Sequence, residues 1–84
     1  MKPKIVRSLA DGHSSQDLAS AVEAVLEREE DTLGTGEEDL GELLTNLMLA
    51  TRVRAAMDDG TSLKDAFRAE MAKVRKVVQN NPND

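Results

Sequence analysis

Apolar residues recur along the chain at helical spacing, in four segments separated by short polar stretches. One segment carries Leu40, Leu43, Leu44 and Leu47, and the next carries Leu63, Phe67 and Met71. Steps of three and four residues place side chains on one face of an α-helix, whereas a strand alternates every second residue. We therefore predict an all-α fold, a small helical bundle with a short N-terminal helix and three longer helices over about residues 15–30, 37–57 and 63–79.

Three hydroxyl residues mark the predicted starts of the longer helices, and each is followed three residues later by an acidic residue. The pairs are Ser14 with Asp17, Thr35 with Glu38, and Ser62 with Asp65. A hydroxyl at the N-cap accepts a hydrogen bond from the backbone at that spacing, and a carboxylate there meets the positive end of the helix dipole. The pattern predicts Thr35 as the cap of the third helix, with Glu37, Glu38 and Asp39 in its first turn.

The predicted core draws on apolar residues of the three longer helices. They are Leu18, Val22, Val25, Leu26, Leu40, Leu43, Leu44, Leu47, Phe67, Met71 and Val74. Residues 1–79 form one predicted domain, and residues 80–84 form a predicted disordered tail. The apolar stripe of the third helix is broad for a chain of 84 residues. Because C2 dimers are the commonest oligomers, we expect a homodimer in which a second subunit covers part of that stripe.

Composition narrows the class of protein. The chain has no cysteine, one aromatic residue and 39% hydrophobic residues. Disulfides and thiolate metal sites are therefore excluded. No run approaches the ~18 apolar residues of a membrane span, and no signal peptide is visible. We predict a soluble cytoplasmic protein that does not bind membranes.

Charge is unevenly distributed along the chain, which has a net charge of −5. Residues 23–42 hold nine acidic residues and one basic residue, whereas residues 52–76 hold seven basic and four acidic residues. This pattern favours complementary contacts within the chain or between chains. It opposes general nucleic-acid binding, which needs concentrated Lys and Arg.

Two groups of residues are the candidate interaction surface. One is the acidic cluster with its glycine, which consists of Glu37, Glu38, Asp39, Gly41 and Glu42. The other is the basic side of the last helix, represented by Arg68 and Arg75. A glycine inside an exposed helix costs about 1 kcal/mol relative to alanine. We therefore expect a neighbouring helix to approach closely at Gly41.

The sequence contains no complete motif for catalysis or for cofactor binding. Counting from Asp31, Gly36 and Glu42 fall at the two strictest positions of a calcium-binding loop, but Leu33 stands where a ligand oxygen is needed. Ser62 loosely resembles the attachment serine of acyl carrier proteins, but Thr61 stands where an Asp is expected, and a capping role explains Ser62 without further assumption. No set of acid, base and nucleophile is visible. We expect no cofactor and no metal, and whether the acidic cluster binds an ion, a second chain or only water stays open.

Several short motifs in a fixed order resemble a family of short uncharacterised helical bacterial proteins of the Bacteroidetes. They are Lys4-Ile5-Val6, His13-Ser14, Gly36-Glu37-Glu38-Asp39, Gly41-Glu42 with Leu44 and Asn46, Met57, Phe67, and Val74-Arg75. The resemblance covers most of residues 2–78. Leu40 departs from it, because an acidic residue is expected before Gly41. The resemblance implies no activity.

The function that these observations favour is a non-enzymatic module for protein–protein interaction, or an accessory module, that binds a protein partner. The alternative is a carrier of a small molecule, an acyl group or a metal. The identity of the partner and the biological process are not encoded in any motif of the chain.

Overall fold

Four helices follow one another along the chain: α1 (Pro3–Gly12), α2 (Ser15–Arg28), α3 (Leu40–Asp58) and α4 (Leu63–Gln79). The computed structural model describes residues 1–79, with side chains as far as Arg75, and these residues contain no strand. The predicted all-α bundle is confirmed. The predicted tail at residues 80–84 lies outside the described residues. Within the described chain, no helix combines the length and the apolar character needed to cross a lipid bilayer.

The central element is α3, which packs against each of the other three helices. The hydroxyl of Ser15 donates to Asp58 Oδ2 at 2.7 Å, so the start of α2 lies beside the end of α3 and the two run antiparallel. The guanidinium of Arg54 donates to the carbonyl of Ala10 at 3.2 Å and holds the end of α1 there. Neighbours inside one chain thus account for the breadth of the apolar surface on α3.

All four helices contribute to the buried core. Its apolar members are Val6, Leu9, Ala10, Leu18, Ala21, Ala24, Val25, Leu43, Leu47, Leu49, Ala50, Val53 and Ala66. Of the predicted core, Leu18, Val25, Leu43 and Leu47 are buried. The partly buried members that pack against this core are Val22, Leu44, Phe67, Met71 and Val74.

Two predicted core residues are exposed, and their assignment to the core was wrong. Leu26 is 66% exposed and Leu40 is 37% exposed. α2 buries the face that carries Leu18, Ala21 and Val25, so Leu26 points away from the core. Leu40 is the first residue of α3, where only part of the first turn is covered by neighbours.

Two of the three predicted caps form as expected. Ser14 Oγ accepts from the backbone N–H of Asp17 at 3.1 Å, and Ser62 Oγ accepts from that of Asp65 at 3.2 Å. The third prediction was wrong, because α3 begins at Leu40 and Asp39 caps it. Asp39 Oδ1 accepts from the backbone N–H of Glu42 at 3.0 Å.

The loop before α3 is organised by Asp31 rather than by a helix. Asp31 Oδ2 accepts from the hydroxyl of Thr35 and from the backbone N–H of Gly36, both at 2.9 Å. Gly36 has a φ of 82°, a left-handed conformation that ends any helical path through this residue. Glu37 and Glu38 therefore lie in the loop, not in the first turn of α3.

α2 ends at Arg28, two residues earlier than the sequence predicts. Glu29 adopts a left-handed conformation with a φ of 56°, which is unusual for a residue other than glycine. The backbone N–H groups of Glu29 and Glu30 then donate to the carbonyls of Val25 and Ala24, at 3.0 and 3.4 Å. These bonds satisfy carbonyls at the helix end and turn the chain into the loop.

Candidate functional site

The acidic segment, residues 37–42, lies against the first two residues of the chain. Lys2 Nζ pairs with Glu37 Oε2, and the amine of Met1 pairs with Glu42 Oε1. The backbone N–H of Lys2 also donates to Oδ1 of the buried Asn46 at 3.0 Å. Two of the four carboxylates of the segment are therefore already in ion pairs within the chain.

The other two carboxylates of the acidic segment differ from each other. Asp39 is occupied as the cap of α3. Glu38 is exposed, and it forms no ion pair among residues 1–75, whose side chains are described. A partner that binds this segment would thus meet one carboxylate with no intramolecular contact, rather than a continuous acidic patch.

The local contacts shift several pKa values in and around this segment. The hydrogen bond from Lys2 lowers the pKa of Glu37, and the same contact raises the pKa of Lys2. Burial raises the pKa of Asp31, but hydrogen bonds from Thr35 and Gly36 outweigh burial, and its pKa lies below the ordinary value. These carboxylates are stabilised in their charged form, as expected for structural groups rather than for proton donors.

The close helix contact predicted at Gly41 does not form within the chain. Gly41 is exposed, and a Cβ added there would meet Asp39 Oδ1 at 3.3 Å, a side chain of the same helix cap. Among the described residues, no neighbouring helix lies within 4 Å of this added Cβ. The predicted contact is therefore absent within the described part of one chain, whereas a contact at Gly41 between two chains stays a prediction.

Two sites considered from the sequence, one for a metal ion and one for an acyl group, fall within the described part of the chain. Residues 1–79 contain no group of three or more His, Asp or Glu side chains placed to hold a metal ion. Ser62 was considered above as an attachment site for an acyl carrier. Its hydroxyl serves as the N-cap of α4.

A second charged surface lies between α1 and α4. It is a groove of about 430 Å³ with a partly buried apolar floor of Leu63, Phe67 and Met71. Four cations rim this floor, and we call the whole surface the cationic groove. The cations are Arg7, Lys64, Arg68 and Arg75.

The rim cations carry no neutralising partner. All four are exposed, the lining of the groove contains no acidic residue, and none of the four forms an ion pair within residues 1–79. The guanidinium of Arg7 lies 5.0 Å from the centre of the Phe67 ring, which is within range of a cation–π contact. The groove thus combines positive charge, an aromatic ring and apolar surface in one concave site.

On the opposite side of α4, the cations are paired with an acidic residue. Glu70 is 5% exposed, and it accepts from Arg52 at 3.3 Å and pairs with Lys73 at 3.7 Å. The same helix therefore carries a paired charge cluster toward α3 and an unpaired one toward α1.

The sequence-predicted site residues fall on these two separate surfaces. Arg68 and Arg75 lie together in the cationic groove, whereas Glu37, Glu38, Asp39, Gly41 and Glu42 lie in the acidic segment and its cap. The sequence analysis did not predict Arg7 as a site residue. Arg7 lies on α1, far from α4 along the chain, and lines the groove together with residues of α4. Its only sequence signal is its place in the basic stretch at residues 1–10.

The fold and the two surfaces define a small all-α helical bundle, and its described part contains no group of side chains placed to hold a metal ion. The chain belongs to a family of unknown function (DUF6952), whose model matches residues 1–79. Membership in an uncharacterised family, which the motif order implied, is confirmed. The comparison with curated proteins found no match, and neither did the comparison with solved structures.

Proposed function

We propose that this protein is a non-enzymatic interaction or accessory module that binds an acidic, leucine-bearing segment of a protein in the cationic groove. The observation that carries the proposal is the row of four unpaired cations above an aromatic and aliphatic floor. Of the other charge clusters described above, the one around Glu70 is neutralised by Arg52 and Lys73, and the acidic segment is neutralised in part.

The chemistry of the groove matches a protein segment better than a simple ion. Arg and aromatic side chains in a concave, apolar setting are the residues that most often dominate binding energy at protein interfaces. Carboxylates of a partner would relieve the repulsion among Arg7, Arg68 and Arg75 and would guide the encounter. Apolar side chains of the partner would cover the ring of Phe67, which is now partly exposed.

The acidic segment is the weaker of the two candidate surfaces. Glu37 and Glu42 are engaged by Lys2 and by the amine of Met1. A partner would have to displace these contacts before binding. The groove requires no such displacement, because its cations face solvent.

Fluorescence anisotropy with a labelled synthetic peptide of alternating Glu and Leu pairs tests the proposal. We expect saturable binding that Arg68→Glu weakens by about tenfold, since one contact becomes repulsive. Lys4→Glu is the matched control, because it changes the net charge equally on an exposed residue outside the groove. Equal loss in both variants, or no binding, would contradict the proposal. A single-stranded oligonucleotide of equal charge measures how much binding is due to charge alone.

A carrier of an anionic small molecule with an apolar portion is the second candidate. The groove volume of about 430 Å³ lies in the range of roughly 300–1,000 Å³ that ligand sites occupy. Native mass spectrometry of the protein purified from its host tests it. A retained ligand that Arg68→Glu abolishes supports the carrier, and the bare mass of the chain contradicts it.

The composition of the chain and its family resemblance support a proposal for where the protein acts and what it does not bind. A net charge of −5 and a single aromatic residue oppose nucleic-acid binding. We propose that the protein acts in the cytoplasm of bacteria of the Bacteroidetes type, without a cofactor. Fractionation of cells that express an epitope-tagged copy, followed by immunoblotting, tests the compartment.

A further inference from the structure

We infer that the segment seated in the cationic groove is α2 of a second copy of this chain, an inference that rests on the groove being the binding surface proposed above. The outer face of α2 has the composition that the groove requires. It carries Leu26 between Glu23 and Glu27, and we call these three residues the α2 strip.

The α2 strip is one continuous exposed face. Glu23 precedes Leu26 by three residues and Glu27 by four, and residues at these spacings are neighbours on the surface of a helix. Leu26 is 66% exposed, more than the other exposed large hydrophobic residues of the described chain. Glu23 and Glu27 are exposed, and neither forms an ion pair with the side chains described, which end at Arg75.

The groove presents the complementary pattern along α4. Lys64, Arg68, Met71 and Arg75 are spaced by four, three and four residues, so they also follow one face of a helix. If α2 of a second copy lay along this face, Leu26 would contact the apolar floor of the groove. The carboxylates of Glu23 and Glu27 would then lie near the rim cations. The α2 strip and the groove each present apolar surface that is not fully buried. They also carry unpaired charges of opposite sign, and such complementarity favours one partner over others.

A single chain cannot make this contact with itself. α2 and α4 both pack on α3, and they do not touch each other within the described chain. The α2 strip can therefore reach a cationic groove only on another molecule. Because the contact joins two different surfaces, it is heterologous, and it closes into a dimer or ring only where the rotation allows.

Sedimentation velocity of the full chain, from micromolar to millimolar concentration, tests the inference through a charge swap. We expect a mass above that of one chain that rises with concentration. Arg68→Glu and Glu27→Arg should each weaken self-association by about tenfold, because each places like charges together. The double variant should return to within about threefold of the unmodified chain, because the pair is restored in reverse. Lys4→Glu should leave association unchanged.

The apolar part of the contact is tested by a second pair of variants. Leu26→Ser should weaken association, whereas Met48→Gln should not, although Met48 is 43% exposed on the face shared by α2 and α3. Circular dichroism melts verify that each variant folds.

Three outcomes overturn the inference: one-chain mass at every concentration, a charge swap that restores nothing, or loss of association in Met48→Gln alone. The peptide assay separates the two proposals. Peptide binding by a strictly monomeric chain overturns the second copy and leaves the binding function standing.

Discussion

The acidic segment and the cationic groove are the two most charged regions of this protein, and they differ in how their charge is neutralised. In the acidic segment, Glu37 and Glu42 pair with the first two residues and Asp39 caps a helix. In the groove, four cations surround Phe67 without an ion pair in the described chain. Density of charge in the sequence therefore does not tell how much of that charge the folded chain neutralises by itself.

Acidification should produce the largest effect, because it neutralises carboxylates that the fold stabilises in their charged form. The pKa values of Asp31, Glu37 and Asp58 lie below their ordinary values of 3.8 for Asp and 4.5 for Glu. The unfolded chain therefore binds protons first on acidification. The stability that these groups contribute is present above about pH 5 and is lost as the pH falls through their folded values.

Thermal melts at a series of pH values measure this effect. A melting temperature that stays constant from pH 5 to about pH 3 would contradict the structural role of these carboxylates.

Asp31→Ala should lower the free energy of unfolding by about 2 kcal/mol, since it removes a charged acceptor of two hydrogen bonds. The loss frees the hydroxyl of Thr35 and the backbone N–H of Gly36, which order the loop before α3. Urea denaturation followed by circular dichroism measures it. Asp11→Ala, an exposed acid outside any ion pair in residues 1–79, is the control and should change little. Equal losses in both would show that the loop does not depend on Asp31.

Asp39→Ala should lower the free energy of unfolding by about 1 kcal/mol, the usual value for a lost N-cap. Its neighbour Glu38 is exposed and has no ion pair in the described residues, so Glu38→Ala should leave stability unchanged. The two variants carry the same change in charge and differ only in the capping bond to Glu42. The same urea titration compares them, and a larger loss in Glu38→Ala would reverse the assignment of the cap.

Arg68→Glu should have the smallest effect on stability, within about 0.5 kcal/mol, although it reverses a charge. Arg68 is exposed and outside the ion pairs of the described chain, so its reversal removes repulsion in the groove and no native contact. Thermal melts of this variant measure the change. A loss as large as that of Asp39→Ala would mean that the groove is structural, like the acidic segment.

Local signals in the sequence were sufficient for part of the fold. The caps at Ser14 and Ser62 depend on a hydrogen bond to a residue three positions away, so a short window contains both partners. The same reasoning failed at residues 35–39, because Thr35 and Asp39 are both competent caps. Asp31 decides between them by binding Thr35.

Tertiary contacts explain what the sequence did not reveal. Leu26 and Val25 are equally apolar, and only the position of α3 decides that Val25 is buried and Leu26 is exposed. The spacing of Arg68 and Arg75 on one helix indicated a basic side. Arg7 joins them from α1, and no short-range pattern connects residues so far apart along the chain.

The central position of α3 has a consequence for the order of folding. α3 contacts its chain neighbours α2 and α4, whereas its contact with α1 requires α2 and the following loop to be closed between them. Contacts that are local in sequence lose less entropy when they form, so we expect α1 to dock late. Val6→Ala, at a fully buried residue of α1, should then accelerate unfolding and leave the folding rate nearly unchanged in stopped-flow kinetics. A slower folding rate in this variant would mean that α1 is already docked in the folding transition state.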